Sequence, residues 1–92
     1  MVGLAMPKVV PTFKECTSAD QARKEFSATR MLKVIIVGTE NGCSVYLKDD
    51  EDAVLLPESW RNVQGSPHPS VDLTISAEQA HEILEQTGLV YA

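Results

Sequence analysis

Two cysteines and five aromatic residues, a single tryptophan among them, are all that 92 residues hold of these types. Cys16 and Cys43 are too few for a disulfide scaffold, and neither stands in a CxxC or CxH spacing. Reduced thiols in a cytoplasmic protein are the expectation, with one Cys16–Cys43 bridge as the alternative. So few aromatics leave the interior to aliphatic side chains. No apolar run approaches the about 18 residues a membrane helix needs, and the mildly apolar first eleven residues lack the basic region of a signal peptide.

Cations are scarce in the second half. Six of the eight basic residues lie within positions 8–33, whereas residues 49–92 carry Arg61 alone against nine acidic side chains. A net charge of −5 speaks against a generic phosphate-binding surface, so nucleic acid is not the expected partner. The chain length suits one domain spanning residues 1–92, with 1–7 as a loose tail.

Motifs for chemistry are also missing. His68, His81, Cys16 and Cys43 are the only nitrogen and sulfur ligands and fall at irregular spacings, so no zinc site is expected. The acidic run Asp49, Asp50, Glu51 and Asp52 lacks the glycine and distal glutamate of a calcium loop. A Cys16–histidine pair would have no orienting third group. Residues 38–42 look like a phosphate loop only until the chain is seen to turn back into a strand. No catalytic residue, cofactor or metal is therefore expected.

What the chain does have is a β-branched run. Residues 32–37 read Leu-Lys-Val-Ile-Ile-Val and favour a buried strand. Asn41-Gly42 then predicts a type I′ hairpin with Glu40 opposite Cys43 and Ile36 opposite Leu47. This register puts Leu32, Val34, Ile36, Cys43, Val45 and Leu47 on one apolar face, and Ile35, Val37 and Tyr46 on a mixed one. An acidic turn at 49–52 would lead into a third strand over 53–56, with Leu47 opposite Val54, ended by Pro57. Residues 71–75 alternate with period two and predict a further strand, and residues 9–13 predict a short edge strand bearing Pro11.

Two capping boxes, Ser18 with Gln21 and Ser76 with Gln79, predict helices over 19–29 and from 77 to a stop at Gly88. The expected fold is α+β: an antiparallel sheet of four strands, five with residues 9–13, and two helices packed mainly on one face. Ile35, Val37, Tyr46 and Leu55 would then form an exposed patch, through which the sheet could pair with a second copy.

The thirteen residues from 58 to 70 are long for a structureless connection and hold Trp60, Arg61 and His68. A tryptophan beside an arginine has the composition of a binding anchor, although an indole folded back over the sheet fits as well. The function expected is that of a small acidic, non-enzymatic module acting by protein–protein contact: a regulator, inhibitor or complex subunit, of a type common among accessory proteins of phages and mobile elements. Its expected contact residues are Tyr46, Asp49, Asp50, Glu51, Asp52, Trp60, Arg61 and His68. The alternative is a small-molecule or catalytic pocket between the sheet and the 58–70 loop.

Overall fold

A computed structural model describes residues 10–61 and 69–92. The chain runs β1 (Thr12–Cys16), α1 (Ala19–Ala28), β2 (Leu32–Thr39), β3 (Gly42–Leu47), two 3-10 turns (Asp50–Leu55 and Glu58–Trp60), β4 (Ser70–Leu73), α2 (Ala77–Gln86) and β5 (Val90–Tyr91). The five strands form one sheet in the order β4-β3-β2-β1-β5.

The fold is α+β as expected, but the sheet is mixed. β1 pairs parallel with both β2 and β5, while β3 is antiparallel to β2 and β4. Parallel neighbours need a crossover connection, and α1 supplies it between β1 and β2. The first strand thus begins three residues later than predicted and lies inside the sheet rather than at its margin. Pro11 still stands outside it, where its carbonyl accepts the Val90 N–H at 3.2 Å.

Both helices are capped where their boxes lie. Ser76 Oγ accepts the Gln79 N–H and Gln79 Oε1 accepts the Ser76 N–H, each at 3.1 Å. At α1 only half the box forms: Ser18 Oγ accepts the Gln21 N–H at 3.2 Å, while Gln21 Oε1 turns to the Thr17 backbone and hydroxyl. Gly88, with φ of +95°, takes the left-handed conformation that glycine allows after α2 and delivers Leu89 into the core.

The helices take opposite faces of the sheet, which corrects the expected one-sided packing. On one face Val34, Ile36, Val45 and Leu47 join Phe13 and the α2 residues Ala80 and Leu84. On the other, Ile35, Val37 and Leu32 pack with Cys16 and the α1 residues Ala22 and Phe26. The expected exposed patch therefore does not exist: α1 covers Ile35 and Val37, Tyr46 packs against the same cluster, and Leu55 packs against the other. Leu32 also changes sides. The β1–β2 register slips between Thr12 and Phe13, so Lys33 is an extra residue that reverses the alternation before Val34.

Two further expectations fail for identifiable reasons. The hairpin closes on Thr39 opposite Gly42, with Glu40 and Asn41 as its loop, and Ile36 faces Val45 rather than Leu47. A shift of two residues preserves parity, which is why the faces after Val34 agree with the sequence. Asn41 has no positive φ, so the type I′ turn is not used. The segment predicted as a third strand instead forms the second half of a 3-10 helix that begins at Asp50, in which Asp52 N–H donates to the Asp49 carbonyl at 3.0 Å. Its place beside β3 is taken by β4.

Candidate functional site

The eight contact residues expected from sequence are placed very differently from one another. Trp60 is a core side chain, 7% exposed, in the cluster under α2. The 3-10 turn Glu58–Trp60 puts it there, its N–H donating to the Pro57 carbonyl at 2.8 Å. Arg61 spends its guanidinium on its own chain, donating from Nε to the Leu56 carbonyl at 3.1 Å and from a terminal nitrogen to the Val54 carbonyl at 3.5 Å. Tyr46 is half-buried beside the α1 cluster. His68, and most of the pocket expected along the 58–70 loop, lie outside the described residues.

The acidic run divides. Asp49, Asp50 and Glu51 are exposed, whereas Asp52 is turned inward and only 6% exposed. Its carboxylate accepts the Asp49 N–H at 3.1 Å and stands 3.6 Å from Lys33 Nζ. This ties the 3-10 turn to β2. Burial pushes the Asp52 carboxyl above its usual range, and the Asp49 N–H and Lys33 only partly oppose that.

The sign of this shift sets a pH dependence. A carboxyl raised by folding favours the fold when protonated, so its contribution is present below about pH 4, its ordinary value, and is lost as pH rises through the raised one. Asp52→Asn retains an acceptor for the Asp49 N–H without the charge. Urea midpoints across this range should show wild type losing ground to Asp52→Asn as pH rises; movement the other way would mean that Lys33 outweighs burial. Asp52→Ala, with no acceptor, should cost about 1–2 kcal/mol at neutral pH.

Neither cysteine is primed for chemistry. Both thiols are buried and unbridged, and they lie in clusters on opposite faces of the sheet. Burial first, then the Glu25 charge, pushes the Cys16 thiol up, so its place ahead of α1 does not activate it. Burial acts likewise on Cys43. Among the described residues no three His, Cys, Asp or Glu side chains converge as a metal site, and no helix is long and apolar enough to cross a membrane.

Two surface features escape a reading of the sequence. Val54 is 70% exposed on the same 3-10 turn as Asp50 and Glu51, an apolar residue in acidic surroundings. The second feature is a cleft of about 270 Å³ between the hairpin end and β4, lined by Thr39, Asn41, Ser44, Asp72 and Thr74 over Cys43 and Leu73. Within it Ser44 Oγ donates to the Asp72 carboxylate at 2.7 Å. The cleft is invisible from sequence because it requires β4 to lie beside β3, across the long connection from 48 to 69. Compared with protein-family models, with curated proteins and with solved structures, the chain matches none.

Proposed function

We propose that this protein is a small, non-enzymatic binding module that works by contact with another protein, as a regulator, inhibitor or complex subunit. The observation that carries the reading is the 3-10 turn Asp50–Leu55, which presents Val54 between exposed carboxylates. An exposed apolar residue within a charged rim is the makeup of a contact surface. The rim steers a basic partner, and the apolar side chain is desolvated on docking. Asp50, Glu51 and Glu58 supply the charge, and no described residue forms an ion pair with any of them. With Trp60 in the core and Arg61 holding the turn together, these two act as the scaffold of the surface rather than as its anchors. Two unbridged thiols fit a reducing compartment, in keeping with a cytoplasmic location.

The test is affinity capture from the source cells with wild-type chain and with a variant combining Asp50→Lys, Glu51→Lys and Val54→Asp. All three positions are exposed, so the fold should survive. A partner retained by wild type and lost by the variant is the expected result. The same partners recovered with both chains would move the contact surface elsewhere.

A further inference from the structure

We infer that β4 takes up an extended segment of a basic partner as a sixth strand, with an Arg or Lys of that segment seated in the cleft beside Asp72. The inference rests on the protein-contact reading and adds where one such contact is made and by what chemistry.

The hydrogen-bonding phase of β4 is the first support. Leu47 N–H donates to the Pro69 carbonyl at 2.9 Å, and the same register continues through Val45 opposite Val71 and Cys43 opposite Leu73. Residues of an antiparallel ladder alternate between bonded and non-bonded pairs, so Val71 and Leu73 direct their backbone groups to β3. The N–H and C=O of Ser70 and Asp72 therefore point away from the sheet. β4 is an edge strand, and no described strand lies beyond it. The opposite edge is poorer: β5 has two residues, and Val90 and Ala92 both donate inward, to Pro11 and Phe13.

The second support is that the two surfaces flanking this edge differ. Val71 is buried and Leu73 half-buried against the α2-side core, whereas Ser70 and Asp72 are exposed on the other side. There Asp72 borders the cleft as the one charged residue, among those described, in a lining that also holds Thr39, Asn41, Ser44 and Thr74, and that charge is negative. Alternate residues of an added strand would meet these two surfaces in turn. Apolar side chains would extend the Val71–Leu73 strip, and a basic side chain would reach the Asp72 carboxylate and neighbouring oxygens.

Charge selects the occupant. Among the described residues Asp72 is the one charged residue lining the cleft, and the chain as a whole carries −5, so a basic segment is the one drawn in. A second copy, itself at −5, is repelled.

The experiment titrates two blocked peptides, acetyl-Val-Arg-Val-Arg-Val-amide and acetyl-Val-Glu-Val-Glu-Val-amide, into the isotope-labelled full chain and follows its amide resonances and their exchange. The Arg peptide should shift the Ser70 and Asp72 amides saturably and slow their exchange, while the Glu peptide leaves them unmoved. Asp72→Asn should weaken the Arg peptide about tenfold or more, a loss of about 1.4 kcal/mol. Asp72→Lys should reverse the preference, a gain that misfolding cannot imitate.

An unmoved β4, an equal response to both peptides, or unchanged affinity in Asp72→Asn would overturn the inference. So would β4 amides that shift with protein concentration alone, since these would assign the edge to a second copy. Shifts confined to the Asp50–Leu55 turn would sink the edge and leave the protein-contact reading standing, because that reading is decided by the capture experiment.

Discussion

Trp60→Ala should remove about 3–5 kcal/mol of stability, the usual cost of emptying a large aromatic site in a packed interior. A chain of 92 residues has roughly 5–14 kcal/mol in all, so the variant should be close to unfolding. The reason lies in the short segment that carries the indole. Leu56 and Trp60 both enter the α2-side cluster from successive 3-10 turns, and few other aromatics are available to fill that space. Trp60→Phe, which retains a ring, should cost clearly less. Because Trp60 is the sole tryptophan, its fluorescence reports the site directly: emission should be that of a shielded indole and move to the red in urea. A cost under about 1 kcal/mol, with emission already that of an indole in water, would place Trp60 at the surface and restore it as a binding anchor.

Gly42→Ala should cost about 2–4 kcal/mol, combining overpacking against rigid backbone with a strained φ. A Cβ at Gly42 would run into the Leu73 carbonyl oxygen and close on the Thr74 backbone, and its φ of +150° is one that other residues rarely adopt. Backbone cannot rotate aside as a long side chain can, so β4 would have to move off β3. Gly38 is the control. It lies in β2, and the methyl group of an alanine there would meet nothing within 4 Å. Gly38→Ala should be neutral or stabilising by about 0.5 kcal/mol, through reduced freedom of the unfolded chain. Denaturant midpoints of the two variants give the comparison, and equal effects would mean that β4 does not approach Gly42.

Gly42 also shows how far the sequence can be read. Asn41-Gly42 resembles a turn so strongly that the glycine reads as part of the chain reversal, whereas it answers to the carbonyl of Leu73, from a strand more than thirty residues away. Local signals are reliable where they act locally. Ser76 with Gln79 and Gly88 bracket α2, and the β-branched run becomes β2 with Val34 and Ile36 buried. They mislead where a distant partner decides the outcome. Residues 53–56 form an apolar run placed to pair with Leu47, but Asp49 and Asp52 cap a 3-10 turn there, leaving residues 70–73 to pair with β3.

The candidate sites inherit the same division. Exposure of Asp50 and Glu51 is legible from charge alone. The inward turn of Asp52 is not, because Lys33 comes from another strand. Nor is the cleft at Asp72, whose walls are adjacent only after β4 has docked. Ile35 and Val37 look destined for an open face because the crossover that brings α1 over them leaves no mark in the pattern of either strand.

The arrangement stands or falls on which segment flanks β3 and in what register, and nuclear Overhauser contacts between α-protons decide both. Such contacts are strong at the non-hydrogen-bonded positions of an antiparallel pair. The structure requires them between Ile36 and Val45 and between Ser44 and Asp72. Contacts joining Val37 to Tyr46, and Val45 to Leu56, would contradict it: the reversal would then centre on Asn41-Gly42, β4 would lose its place at the edge, and the cleft beside Asp72 would not form.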